Sequence, residues 1–407
     1  MNKTPRANRT HIGIYGKRNA GKSSLLNTIV GQEIAIVSDV KGTTTDPVNK
    51  TMELLPYGPV VFIDTAGLDD AGALGDLRVK KSMKVLQRTD FAIYIVDAST
   101  MEESIIDFKL FKKNFEKMNI PYLLVVNKID LIDEDQLRIL EKRYDKAAFV
   151  TVNDLHSVID LKERLIDCLT LEKNEPAIVG DLLNYGDTVI MVVPIDSEAP
   201  KGRIILPQAQ MIRDCLDHGI KSYVVRDTEL KSALDDLEKV DLVITDSQAF
   251  KAVDEIVPDD ILLTSFSILF AKYKSNDLEA LLDGIDTLKN LNKNSKILIS
   301  EACTHNTSHE DIGRFKIPAL IEKKLGFKPE IEFQMGHDFP LEVIDYDLIV
   351  HCGACMVNAK TMKTRIRMCQ ESGVGITNYG LLIAYFTGIL DRSIEVIKNN
   401  RIKEKII

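Results

Sequence analysis

No uninterrupted apolar run in the 407 residues approaches the roughly 20 that a membrane-spanning helix needs. The opening MNKTPRANRT holds no apolar core of signal-peptide length. Both absences set the expectation of a cytoplasmic protein without a membrane partner. Positive charge is in short supply, with 52 Lys and Arg against 61 Asp and Glu and a formal net charge of -9. That balance argues against a broad electrostatic footprint for nucleic acid. Cysteine is scarce too: six thiols in a long chain with no secretion signal are expected to stay reduced, which excludes a disulfide framework. Cys168, Cys215 and Cys369 lie in stretches with helical periodicity and read as small apolar core residues.

The other three cysteines are grouped differently. Cys303-Thr304-His305 is followed, after 45 residues, by His351-Cys352-Gly353-Ala354-Cys355. Thiolates are soft, strongly donating ligands, so three of them with one or two imidazoles suit an iron-sulfur cluster or zinc rather than magnesium or calcium. The competing readings are buried apolar thiols or a dithiol redox pair. Three thiolates would leave one iron of a four-iron cluster without a cysteine, and His305, His351, another residue or solvent are the candidates for that place. His309 and His337 have no cysteine at ligand spacing and read as surface histidines.

Near the N-terminus, the apolar strand His11 to Tyr15 leads into Gly16-Lys17-Arg18-Asn19-Ala20-Gly21-Lys22-Ser23 and then the helical run from Ser24. This is the strand, loop and helix order of a phosphate-binding loop. Gly16, Asn19, Ala20 and Gly21 would let backbone N–H groups wrap the phosphates, with Ser24 continuing the helix start. Lys22 would reach the β and γ phosphates, and Ser23 would coordinate magnesium. Asp64-Thr65-Ala66-Gly67 follows the strand Val60 to Ile63, putting Asp64 at a strand end near the magnesium shell and Gly67 near the γ-phosphate. Asn127-Lys128-Ile129-Asp130 follows the strand Tyr122 to Val126. The Asp130 carboxylate can accept from guanine N1–H and its 2-amino group, whereas adenine offers no matching pair, so the expected nucleotides are GTP and GDP, not ATP. Thr151 and Val152, after Phe149 and Val150, stand where a further guanine contact is expected. Leu68 takes the place of a water-orienting glutamine, so intrinsic hydrolysis is expected to be slow.

Gly42-Thr43-Thr44-Thr45-Asp46 resembles the switch element of the TrmE and Era-like GTPases, which implies Thr44 as the threonine that touches magnesium. Lys22, Thr44, Asp64, Gly67 and Asn19 then form the catalytic set. In those GTPases an asparagine of the phosphate loop helps bind an activating potassium ion, and Asn19 holds that position here; the alternative is that Asn19 only stabilises the loop turn.

The organisation expected is α/β in three domains, a P-loop GTPase domain followed by two α/β domains with mainly parallel sheets. The boundaries read from the sequence are 1–172 for nucleotide binding, a linker over 173–187, a scaffolding or dimerisation domain over 188–274, and a cluster domain over 275–407. Cys303 and His351 each follow an apolar strand, so both half-sites should emerge at the carboxyl edge of a sheet, where ligands of open α/β sheets bind. The strand Val374 to Thr377 would deliver Asn378 and Tyr379 to that edge, as wall residues or as helix cap and core aromatic.

With its motifs in this order, the chain resembles the HydF family of [FeFe]-hydrogenase maturation GTPases, which joins a TrmE/Era-like domain, a dimerisation domain and a domain bearing Cys-x-His and His-Cys-x-x-Cys. Those residues are Cys303, His305, His351, Cys352 and Cys355. The resemblance implies a homodimer holding GTP or GDP, magnesium, activating potassium and a [4Fe-4S] cluster. It further implies a scaffold that takes a transient di-iron precursor from radical-SAM maturases and passes it to apo-[FeFe]-hydrogenase. The alternative expectation is a regulatory GTPase of RNA modification or ribosome assembly with a structural zinc site.

Overall fold

The computed structural model describes residues 5–31, 48–65, 83–171, 176–195, 204–302, 312–336 and 338–404. The chain divides into two compact units, Met1–Asn174 and Glu175–Ile407.

In the first unit, β1 (Thr10–Tyr15), α1 (Lys22–Gly31), β2 (Val48–Leu54), β3 (Gly58–Asp64), β4 (Phe91–Asp97), α2 (Met101–Lys117), β5 (Tyr122–Asn127), α3 (Glu134–Arg143), β6 (Ala148–Val150) and α4 (Leu155–Leu171) follow in order. They build a six-stranded sheet, β2-β3-β1-β4-β5-β6, parallel except for β2 against β3. Helices cover both faces, so the inner strands bury side chains both ways and read as continuous apolar runs. Along β1 the pleat sends Ile12 and Ile14 to a core shared with Leu25, Phe62 and Leu165, and Tyr15 to an opposite core of Tyr94, Phe111 and Phe115. The Tyr15 hydroxyl meets the Thr89 hydroxyl at 2.8 Å, and burial pushes its pKa above the usual phenol value.

The second unit holds two four-stranded, wholly parallel sheets. One has the order β10-β9-β7-β8, from β7 (Thr188–Val192), β8 (Lys221–Val225), β9 (Leu242–Thr245) and β10 (Leu262–Ser265). It alternates with α5 (Leu206–Asp217), α6 (Leu230–Asp236) and α7 (Phe250–Asp254). Next come α8 (Phe266–Ser275) and α9 (Leu278–Thr287). The other sheet has the order β12-β11-β13-β14, from β11 (Lys296–Glu301), β12 (Glu330–Met335), β13 (Leu348–His351) and β14 (Gly375–Asn378). Its helices are α10 (Ile317–Leu325), α11 (Ala359–Ser372), α12 (Tyr379–Thr387) and α13 (Leu390–Glu404).

The P-loop unit and two parallel α/β sheets agree with the expected fold class. One hydrophobic core runs through both sheets of the second unit. Gly284 of α9 lies so close to β14 that a Cβ there would stand 2.0 Å from the Ile376 carbonyl oxygen. Within this second unit the final helix returns to the β10-β9-β7-β8 sheet, where Thr264 donates to the Ser393 carbonyl at 2.7 Å and Arg392 pairs with Asp254 at 2.7 Å.

Candidate functional site

The phosphate loop lies between β1 and α1. Gly16 has φ +139° and a Cβ there would meet the Ile95 carbonyl oxygen at 2.3 Å; at Gly21, φ +91°, it would meet the Asn127 amide at 2.2 Å. Glycine is therefore required at both positions by backbone conformation and by space. Asn19 is left-handed at φ +64°, a conformation asparagine tolerates, so a turn role is served whether or not a cation binds. Lys22 opens α1, and its Nζ donates to the Gly16 and Lys17 carbonyls at 2.7 and 2.6 Å, folded onto the loop that would carry the phosphates. Ala20 is buried and Ser24 exposed. Ser23 donates to Asp64 Oδ2 at 2.7 Å. The other oxygen, Oδ1, is buried without a hydrogen-bond partner, and burial raises the Asp64 pKa. A hydroxyl and an orphaned carboxylate oxygen side by side fit magnesium.

At the base end, Asn127 donates from Nδ2 to the Ala20 carbonyl at 2.9 Å, tying β5 to the phosphate loop. Lys128 is left-handed and its Nζ reaches Asp97 at 2.6 Å. The Asp130 carboxylate is held on both oxygens: Thr151 donates to Oδ1 at 2.6 Å and Asn153 to Oδ2 at 2.8 Å. The Thr151 bond first, helped by that of Asn153, keeps Asp130 below the usual carboxylate pKa. Val152 is 36% exposed, and its side chain makes no polar contact. Asn153 was missed by the sequence reading; its signal is a place two residues after Thr151 in the turn that follows β6. Thr44 and Gly67 lie outside the described residues.

In the second unit, β13 ends at His351, and the Cys352-to-Cys355 loop follows. Its Ala354 is left-handed at φ +57°. Cys352 N–H donates to the Ser300 carbonyl at 3.0 Å, and Ala302 N–H donates to Cys352 Sγ at 3.0 Å. Cys303 and His305 lie outside the described residues; Ala302, which precedes Cys303 in sequence, is the last described residue before them and meets Cys352 through its backbone N–H. Burial, then the neighbouring Cys355, pushes the Cys352 thiol up to about 11, and burial raises Cys355. Among the described residues no group of three metal-ligating side chains converges.

His351, one of the two histidines expected as candidates for the fourth position, is engaged by protein groups. It is fully buried, Arg365 Nη1 lies 2.6 Å from Nε2, and Nδ1 lies 2.9 Å from the Cys352 carbonyl. A guanidinium only donates, so Nε2 accepts and Nδ1 carries the proton. Both nitrogens are engaged, and in this arrangement His351 has no lone pair to offer a metal. Burial and then Arg365 lower its pKa to about 3, so it is neutral. Two buried cations flank the loop. Lys274 of α8 donates to the carbonyls of Ala354, Val357 and Cys355 at 2.6, 2.6 and 3.3 Å. Arg365 of α11 also reaches the Gly336 carbonyl at 2.9 Å and the Ser300 hydroxyl at 3.3 Å. Buried positive charge beside thiols suits an anionic thiolate-metal group, so the residues present fit a cluster.

Asn378 is a cap: its Oδ1 accepts from Leu381 N–H at 2.9 Å, and its Nδ2 donates to the Ser267 carbonyl at 3.1 Å. Tyr379 is buried and lines a cavity of about 140 Å³ together with Cys355, Gly353, Ser267, Phe270 and Asp246.

A family model described as the hydrogen maturase F dimerization domain matches residues 178–275, and one described as the hydrogen maturase F tetramerization domain matches 279–396. Together they span more than half of the chain. The chain belongs to the hydrogen maturase F family. A third model, described as a 50S ribosome-binding GTPase, matches 11–128, so the family's C-terminal pair is preceded here by a GTPase domain.

Curated relatives match that domain. A tRNA modification GTPase MnmE of Helicobacter pylori is 39% identical over 155 residues, 37% of this chain and 33% of its own length. A GTPase Der of Wolinella succinogenes is 36% identical over 168 residues, 38% of this chain and 35% of its own. The chain thus spans about a third of the length of the curated relatives it matches.

Among solved structures, the G domain of the T. maritima FeoB iron transporter has a TM-score of 0.30 at 20% identity, covering 39% of this chain and 98% of that one. Aquifex aeolicus Era has a TM-score of 0.30 at 18% identity, covering 53% and 93%. Scores this low carry no weight for the fold, which rests on the strand order above.

Among the described residues no helix is long and apolar enough to cross a membrane.

Proposed function

We propose that the chain is a GTP hydrolase and iron-sulfur scaffold of [FeFe]-hydrogenase maturation, acting in the cytoplasm as a homodimer or higher assembly. It would receive a di-iron precursor from radical-SAM maturases and deliver it to apo-hydrogenase. The observation that carries this reading is the Cys352-to-Cys355 loop at the carboxyl edge of β13, inside the part of the chain that matches the hydrogen maturase F models. Cys303, Cys352 and Cys355 would hold a [4Fe-4S] cluster, which supplies an iron able to bridge to a second metal fragment. In this reading His351 stays with Arg365, and His305, another side chain or solvent would take the fourth position.

In the GTPase domain, Lys22 would exchange its loop carbonyls for phosphate oxygens. Ser23, Asp64 and Thr44 would hold magnesium, Gly67 would approach the γ-phosphate, and Asp130, framed by Thr151, would read guanine. Leu68 cannot orient water, and a potassium ion at Asn19 would supply positive charge at the phosphates. Equal GTP turnover in potassium and sodium chloride at matched ionic strength would remove that ion from the account. Domain limits at 1–172, 188–274 and 275–407 go with this reading. The strand β8, paired among the described residues with β7 alone and exposing Tyr223 and Val224 at 43% and 46%, supports self-association through the dimerisation domain.

The test is activation of apo-hydrogenase by the protein prepared with the maturases. Wild type should activate, Cys355→Ala should not, and Lys22→Ala should bind nucleotide at least about ten-fold more weakly and transfer poorly. Full activation by Cys355→Ala would sink the scaffold reading, and full activation by a nucleotide-free Lys22→Ala would sink its coupling to GTP.

A further inference from the structure

Lysine and arginine are seldom buried without a carboxylate, because taking a charge out of water is costly unless opposite charge meets it. The second unit buries two. Lys274 is 2% exposed, and its three Nζ protons are matched by three carbonyls of residues 354–357. Arg365 is 2% exposed, lies over the Phe339 ring at 4.6 Å, and bonds to His351, Ser300 and Gly336. Among the described residues neither forms an ion pair with a carboxylate; their contacts are neutral carbonyls, a hydroxyl, an imidazole and the rings of Phe270 and Phe339. They come from separate helices, α8 and α11, and act on the two ends of one loop. Lys274 holds its carbonyls, and Arg365 fixes its entry through His351, whose Nδ1–H in turn donates to the Cys352 carbonyl.

We propose that Lys274 and Arg365 are positioning residues of the thiolate site, which hold the Cys352-to-Cys355 loop from both ends and set fixed positive charge beside the group the thiolates bind. This rests on the scaffold reading above. The two cations meet no carboxylate among the described residues, and a thiolate-bound cluster would bring the negative charge that balances them. Reduction of a bound cluster adds one more negative charge, and nearby cations favour it. The pair therefore raises the reduction potential of the cluster. His351 is the neutral bridge between one cation and the loop, which explains a histidine beside a ligand cysteine without making it a ligand.

The experiment is anaerobic iron and sulfide reconstitution of the full-length protein, with iron content and a dye-mediated redox titration read by EPR. Wild type, Lys274→Met, Lys274→Gln, Lys274→Arg, Arg365→Gln and Arg365→Lys are compared. At the potential where the wild-type cluster is half reduced, the neutral variants should show a reduced fraction lower by roughly three-fold, and Lys274→Arg and Arg365→Lys should restore it. If the neutral variants take up no iron while the cationic ones do, the charge is needed already for assembly, which supports the same assignment. Unchanged potentials at full iron content, or equal loss in neutral and cationic variants, would overturn it. A wild type that takes up no iron would overturn the scaffold reading itself, and this inference with it.

Discussion

Asn153→Ala should weaken GTP binding through the base and leave the phosphate end alone. An ionised carboxylate has four lone-pair positions. Thr151 and Asn153 take one on each oxygen of Asp130, at 2.6 and 2.8 Å, leaving one on each for guanine N1–H and the 2-amino group. Without the Asn153 amide, the carboxylate plane loses one of its two anchors and must be fixed when the nucleotide binds. A hydrogen bond to an ionised group contributes about 1.5–3 kcal/mol where buried. Asp130 and Asn153 are both exposed, so about 1 kcal/mol is the fitting magnitude, or roughly five-fold in Kd. Inosine triphosphate lacks the 2-amino donor, so its affinity should fall by only about two-fold, and the weak binding of ATP should not change. Titration calorimetry with the three nucleotides separates these outcomes. An equal fall for all three would mean a damaged domain, and no fall for GTP would refute the clamp.

Lys22→Ala removes the cation that now bonds two loop carbonyls, and GTP affinity should drop by roughly ten- to a hundred-fold in the same calorimetry. Gly284→Ala forces a Cβ to within 2.0 Å of the Ile376 carbonyl oxygen, a backbone atom that cannot swing away. Urea unfolding should show a loss of about 1–3 kcal/mol, and a loss under about 0.5 kcal/mol would mean that α9 shifts freely on β14. Val224→Lys on the exposed edge strand β8 should shift the protein toward monomer in light scattering at unchanged circular dichroism; an unaltered mass would move the interface elsewhere.

The inner strands of each sheet were legible because helices on both faces make them continuous apolar runs. The phosphate loop and the guanine-reading segment were legible because their chemistry is local, within a few residues of a strand end. Edge elements were not. β2, Val48–Leu54, mixes polar and apolar residues and pairs antiparallel at the rim, and β12, Glu330–Met335, is half-exposed along its length. The helix α8 that follows β10 was not legible either; it starts where the Ser265 side chain accepts from Ile268 N–H. Long-range partners were the least visible. Nothing near His351 in sequence says that Arg365 occupies its Nε2, and a lysine inside a helix, as at position 274, ordinarily reads as surface.

The most direct test of a GTPase joined to a cluster scaffold is the cluster itself. After anaerobic reconstitution with iron and sulfide, visible absorption and EPR of the reduced protein should give a brown, reducible four-iron centre in wild type that is lost in Cys303→Ala, Cys352→Ala and Cys355→Ala. A colourless protein holding one tight zinc would contradict the account and make the C-terminal site structural.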